Sequence, residues 1–241
     1  MSTESKSAWF RFRPSWSWIG HVAKSAARQD HSALVPLFRP LLPENGTAID
    51  IGAHGGQITR LLADMVPRGQ VIAVEPSGYA RSVLRTAMLF RPRRNVALVA
   101  TALGAEPGVA VLATPLKRQR AMGYGTASLA PEAGRAAVRE PVPVVTLDAL
   151  VQAMELPRVH LMKLDVEGYE HSVLQGAAAL LQRDGPAIYM EIARDRLARA
   201  GATPEAIWEY LSGFGYVARS VPAGLSPGED GDWLFQAGGA D

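Results

Sequence analysis

Residues 48–76 read AIDIGAHGGQITRLLADMVPRGQVIAVEP, the most informative stretch of the chain. Ala48–Ile51 is a short apolar run broken only by Asp50, the pattern of a strand buried on both faces. Gly52, Gly55 and Gly56 follow at once. Glycines so closely spaced let the backbone turn tightly and let a ligand approach it. Ile58, Leu61, Leu62 and Met65 then recur at helical spacing, so a helix packs back on the sheet. Pro67 and Gly69 end it. Val71–Val74 is the next strand, with Glu75 at its carboxyl end. Strand, turn, helix and strand make one βαβ unit, which dictates a right-handed crossover and a parallel pair. Ligands of such sheets sit outside the carboxyl ends of the strands, near the topological switch point. Glu75 stands about twenty residues beyond the turn, where an acid accepts hydrogen bonds from ribose hydroxyls. The stretch reads as a nucleoside-type cofactor site.

The turn selects among cofactors. A dinucleotide fingerprint needs glycine at its first, third and sixth positions; counted from Gly52, the third is His54 and the sixth is Gln57. Asp50, just before the turn, repels a phosphate and suits a cation. S-adenosylmethionine carries an ammonium and a sulfonium and no phosphate. Asp-x-Gly-x-x-Gly, followed by an acid that ends the next strand, resembles motif I and the ribose acid of class I methyltransferases. The cofactor-binding candidates are therefore Asp50, Gly52, His54, Gly55 and Glu75. The competing reading is a glycine-rich turn that holds no ligand.

The 241 residues suffice for one large α/β domain with a sizeable core. No run approaches the roughly 20 apolar residues of a membrane span. The N-terminus lacks an apolar signal region, so a cytoplasmic location is expected. The absence of cysteine excludes disulfides, thiolate metal sites and cysteine nucleophiles. A net charge of +2 does not suggest a nucleic-acid binder. The charge is uneven, however. Residues 1–40 carry six basic residues against two acidic ones, and residues 221–241 carry four acids and no base.

Residues 9–18, WFRFRPSWSW, hold three of the five tryptophans beside Arg11 and Arg13. Aromatic and basic residues together suit a membrane surface or a partner. Pro14 and the lack of helical period favour an arm that packs on its own domain instead. Val22–Arg28 reads as a short helix. Leu34, Leu37, Phe38, Leu41 and Leu42 form a helix face that covers one side of the sheet. After Glu75, residues 79–90 form a helix with Val83, Leu84, Ala87 and Met88 inward. Arg81, Arg85, Arg91, Arg93 and Arg94 read as a solvated basic face. Val96–Leu103 is the third buried strand, and its last residues, Thr101 and Ala102, are candidates to approach the adenine. Val109–Ala113 reads as an extra antiparallel strand. Residues 114–141 read as a substrate lid containing Lys117, Arg118, Arg120, Tyr124 and Ser128. Pro143–Leu150 runs from extended into a helix.

Val159 to Glu191 is again strand, turn, helix, strand. Asp165 and Glu167 end the first of these strands. Glu170 sits in the first turn of the helix, where its charge favours the dipole. In a doubly wound sheet this strand lies beside the first, so Asp165 and Glu167 face the reactive end of the cofactor. Carboxylates at i and i+2 on a strand point the same way. Crowding them raises one pKa, which suggests a general base or a cation site. The alternative is that both cap local backbone. Thr203-Pro204-Glu205 then starts a late helix. Tyr216–Val221 and Trp233–Ala237 form a closing pair of strands, one of them antiparallel.

LDVEGYEHSVLQGA, preceded by VTLDAL and followed by a strand ending in Glu191, resembles the FkbM-type methyltransferase family. AIDIGAHGG, VIAVEP, TALG and TASL fit the same family, and the resemblance covers roughly residues 46–192. It departs at His54, where the family commonly has asparagine. The resemblance implies an α/β fold, a class I methyltransferase Rossmann-like doubly wound sheet, mostly parallel with one antiparallel strand. Residues 1–30 would be an aromatic and basic arm with a short helix, and residues 31–241 a single domain. It further implies S-adenosylmethionine and O-methylation of a hydroxyl on a sugar, glycan or natural product.

The sulfonium already activates the methyl group, so the enzyme mainly aligns the acceptor. A hydroxyl must also lose its proton, for which Asp165 is the first candidate base and Glu167 the second. His54 and His171 are outside choices. A magnesium-assisted version, with Asp165 and Glu191 holding the ion, is the alternative. Other classes fit less well. An oxidoreductase lacks its dinucleotide turn, and a scaffold protein would not need Asp50, Gly52 and Glu75 together. A nucleic-acid methyltransferase would carry an Asn-Pro-Pro-Tyr-like motif where this chain reads Asp-Val-Glu-Gly. The expected partner is a small-molecule or glycan substrate, without nucleic acid.

Overall fold

The computed structural model describes residues 8–27, 31–115, 127–129 and 136–238. The chain begins with β1 (Ala8–Trp9), α1 (Trp16–Ala27), a 3-10 turn (Ser32–Leu34) and α2 (Val35–Phe38). Then come β2 (Thr47–Ile51), α3 (Gln57–Met65), β3 (Gln70–Val74), α4 (Gly78–Phe90), β4 (Val96–Val99), β5 (Ala102–Leu103) and β6 (Gly108–Pro115). The middle of the chain supplies β7 (Ala137–Val145), α5 (Leu147–Ala153), β8 (Val159–Leu164), α6 (Glu170–Gln175) and α7 (Ala178–Asp184). It closes with β9 (Ala187–Ile192), α8 (Arg194–Arg199), α9 (Pro204–Ser212), β10 (Tyr216–Val221) and β11 (Gly231–Ala237).

A seven-stranded sheet runs in the order β10-β11-β9-β8-β2-β3-β4. Only β11 runs antiparallel to its neighbours on both sides. β2 pairs with β3 on one side and β8 on the other, so the switch point lies at its carboxyl end. Alternate residues of the buried strands feed two cores. Ile49, Ile51, Ile72, Val74, Met162 and Leu164 pack under Leu147, Val173, Leu174, Leu180 and Leu181. Ala48, Val71 and Leu161 pack against Leu61, Leu62 and Met65 of α3 and against Phe38 and Leu42. The expected helix face over 34–42 therefore exists, but as a 3-10 turn and the four residues of α2, with Pro36 in its first turn.

A second, four-stranded sheet was not anticipated. β7 pairs with β6 antiparallel, and with β1 and β5 in parallel. The expected strand Val96–Leu103 is thus divided: Val96–Val99 stays in the main sheet, and Ala102–Leu103 leaves it to pair with Val144 and Val145. The extra antiparallel strand at 109–113 is present and longer, as β6. The helix expected after Glu170 breaks at Gly176, where a Cβ would lie 2.1 Å from the Gly104 carbonyl oxygen. The segment before residue 28 packs on the domain. α1 starts at Trp16, earlier than expected, because Pro14 precedes the helix rather than interrupting it. Trp18 donates its indole N–H to Ser82 at 2.9 Å, and Phe10 and Trp18 pack on Val22, Tyr79 and Val83. Lys117, Arg118, Arg120 and Tyr124 lie outside the described residues. Among those described, no helix is long and apolar enough to cross a membrane.

Candidate active site

Two loops meet at the carboxyl ends of β2 and β8. Gly52 leaves β2 with a φ of +76°, and a Cβ there would lie 1.9 Å from the carbonyl oxygen of Asp165. Only glycine lets these backbones come so close. His54 takes a φ of +47°, uncommon for a residue with a side chain. Gly56 begins α3 at +77° with Leu84 against it. The turn is fixed by Glu75, only 3% exposed. One carboxylate oxygen accepts the His54 N–H at 2.9 Å, and the other accepts the Ser77 N–H at 2.8 Å. Each carboxylate oxygen has two acceptor sites, so Glu75 keeps capacity for ligand hydroxyls.

A cavity opens at this point, lined by Gly52, His54, Glu75, Thr101, Ala102 and Asp165 among the expected residues. Leu103, Leu112, Ala127, Leu129 and Val166 give it an apolar wall, and Tyr169 borders it. Thr101 contributes shape rather than its hydroxyl, which donates toward the carbonyls of Ala102 and Pro143, both at 3.0 Å.

Beneath the cavity lies a buried charge cluster. The sheet register sets Asp50 on β2 opposite Lys163 on β8. Lys163 Nζ donates to the Gly52 carbonyl at 3.0 Å and stands 3.4 Å from Asp165 and 3.5 Å from Asp50. Thr59 donates to the other oxygen of Asp50 at 2.5 Å. Burial opposes the charge on Lys163, yet Asp165 and Asp50 outweigh it and hold its pKa above the ordinary value. Burial likewise works against the Asp165 charge, but Lys163 and His54 hold its pKa below the ordinary value. Glu167 differs: burial raises its pKa, with Arg196 opposing.

Asp50, Gly55 and Glu167 do not line the cavity. Asp50 is fully buried in the central strand and faces the chain's own Lys163. Gly55 offers its carbonyl to the Ser25 hydroxyl. Asp165 and Glu167 do not share a direction by strand alternation, since β8 ends at Leu164 and Glu167 has a φ of +56°. They converge nevertheless: ligand atoms of His54, Asp165 and Glu167 lie within 4.8 Å of one another. Lys163 and Arg196 stand 3.4 and 3.3 Å from the two carboxylates, so both already have cationic partners and ill suit a metal ion. The alternative Asp165–Glu191 ion site meets an occupied carboxylate, because Glu191 accepts from Arg196 at 2.8 Å. Glu170, not Glu167, grips the turn, accepting the N–H groups of Val166 and Gly168. Ser128 donates to the Glu167 carbonyl at 3.2 Å.

The profile of the Methyltransferase FkbM domain matches residues 50–218, from Asp50 at this site to the last strands of the sheet. The chain belongs to the FkbM methyltransferase family. The structure of an FkbM methyltransferase from Methylobacillus flagellatus KT superposes with a TM-score of 0.55 at 14% identity, covering 88% of this chain. The present chain spans about half (47%) of that protein. Cofactor-bound Rv0187 from MTB matches at a TM-score of 0.53 and 13% identity over 92% of this chain and 90% of its own. An rRNA methylase from Streptococcus thermophilus matches at 0.50 and 14% identity over 87% of this chain and 97% of its own. At such identities these likenesses establish the fold alone. No curated protein matches the chain.

Several residues of this FkbM site escaped the sequence reading. Lys163 was the clearest signal missed: a lysine inside the apolar run Val159–Leu164 has to find acid partners. Tyr169, Leu112 and Leu129 carried no comparable signal, since only the fold brings them to the cavity.

Proposed function

We propose that this FkbM-family protein methylates a hydroxyl group of a sugar, glycan or natural product, with Asp165 as the general base. The residues around the cavity suit S-adenosylmethionine. Glu75 is buried, aimed by two backbone N–H groups and free to accept ribose hydroxyls. Leu103, Leu112 and Leu129 offer an apolar wall to a purine. The backbone of Gly52 and His54 forms the cradle beside them. When bound, the cofactor supplies a methyl group already activated by its sulfonium.

The chain's residues supply the rest. The cavity holds the acceptor in line and excludes water, which is worth several kcal/mol. As the acceptor oxygen loses electron density its proton becomes acidic, and Asp165 takes it. Lys163 keeps that carboxylate ionised and, by binding the Gly52 carbonyl as well, fixes it to the cofactor turn. Glu167 lies in the same loop, bound to Arg196, and we assign it to positioning that loop. The observation that carries this reading is that Asp165 lines the same cavity as Glu75.

Methyl transfer to a panel of hydroxylated acceptors tests the proposal. Asp165→Asn should lower kcat by about 10²–10⁴-fold while leaving S-adenosylmethionine affinity within a few-fold of wild type. Transfer to nitrogen or carbon only, or full activity in Asp165→Asn, would contradict it.

A further inference from the structure

α1 is apolar on two faces. Its inner face is spent on the domain: Val22 is buried with Tyr79 and Val83, and Trp18 reaches Ser82. Its outer face carries Trp16, 88% exposed, and Ile19, 48% exposed, with exposed Ala23 following. Trp9 and Phe12, at 65% and 45%, are exposed in the preceding segment. Large apolar side chains exposed together beside cations mark an interaction or membrane surface. Cations accompany the patch. Arg11, Arg13 and Lys24 are exposed, and so is Arg139, the strand partner of Trp9. Residues 8–27 contain no aspartate or glutamate.

We propose that this face docks the enzyme on an anionic lipid surface. Tryptophan suits the headgroup region, where one end of the ring is apolar and the other wet. Arginine pairs with lipid phosphate, and each such residue near an anionic leaflet adds to binding. The charge pattern decides against a second copy. A two-fold contact sets the same patch against itself, cation against cation with no acid to separate them. The attachment is peripheral: the described helices include none that can cross a bilayer. Docking also reaches the active site, because Ser25 of α1 binds the Gly55 carbonyl and Arg60 of α3 binds the Ser25 carbonyl. The lipid-facing helix and the cofactor turn are thereby joined.

Co-sedimentation with phosphatidylcholine vesicles, with and without phosphatidylglycerol, tests this. Wild type should partition onto the anionic vesicles at least about tenfold better than onto the neutral ones, and lose that advantage in high salt. Trp16→Ser with Ile19→Ser, and separately Arg11→Glu with Arg13→Glu, should each weaken partitioning about tenfold or more. S-adenosylmethionine affinity and circular dichroism should stay at wild-type values in both. Absence of binding by folded wild type would overturn the proposal. So would unchanged binding by the charge-reversed variant, or a lipid-free dimer that Trp16→Ser with Ile19→Ser dissolves.

Discussion

Gly52 is the residue on which the site depends most. Its φ of +76° and the 1.9 Å separation between an added Cβ and the Asp165 carbonyl leave no room for alanine. Gly52→Ala should cost roughly 2–4 kcal/mol and lower Tm by several degrees in a thermal melt. The same change pushes the Asp165 loop away from the cofactor turn, so activity should fall further than stability. At the neighbouring carboxylates the pKa directions separate two roles. Asp165 is held below its ordinary value of 3.8, so a base at that position stays ionised at all working pH values. Its contribution to stability is present above the unfolded value and is lost as pH falls through the folded one. Glu167 is raised above 4.5 by burial and so takes up its proton at a higher pH. The pH profile of kcat should therefore show no acid limb above pH 3.8. A limb above pH 4.5 that vanishes in Glu167→Gln would transfer the base role to Glu167.

Among the elements, β7 does the most that sequence patterning hides. Its residues AVREPVPVV mix prolines and charges, which argue against a strand in a sheet interior. β7 nevertheless pairs on both sides and draws β5 out of the main sheet. The break matters for function, because it leaves Thr101 and Ala102 at the cavity instead of within a continuous strand. β7 also holds α4 in place. Glu140 accepts the Gly78 N–H with both oxygens, at 2.9 and 3.1 Å, and stands 3.9 Å from Arg81. Glu140→Ala removes this cap and should cost about 1–2 kcal/mol, read as a loss of about 2–8 °C in Tm. β2, β3, β8 and β9 were legible from the start, because each is a short apolar run bounded by glycine, proline or an acid. The α6–α7 break was not, since it arises from the Gly104 backbone lying against Gly176.

Across the whole molecule, the sheet order carries the chemistry. β2 and β8 adjoin at the switch point, which brings Glu75 and Asp165 to one cavity although 90 residues separate them in sequence. The acids at the strand ends could be read directly: spacing rules place them, and the cavity borders both. The electrostatics could not, because Asp50 turns inward to Lys163 and Glu191 turns to Arg196, and those choices depend on strand register and on α8. The acceptor lies further still from the sequence, because pocket shape sets it. The central claim is the cofactor site, and titration calorimetry with S-adenosylmethionine, with NADH as control, measures it directly. Wild type should bind S-adenosylmethionine and not NADH. Glu75→Ala loses the acceptors for the ribose and should bind at least about 100-fold more weakly, from the loss of two hydrogen bonds to a charged group. Folded wild-type protein that binds NADH instead, or Glu75→Ala that binds S-adenosylmethionine as well as wild type, would contradict the account.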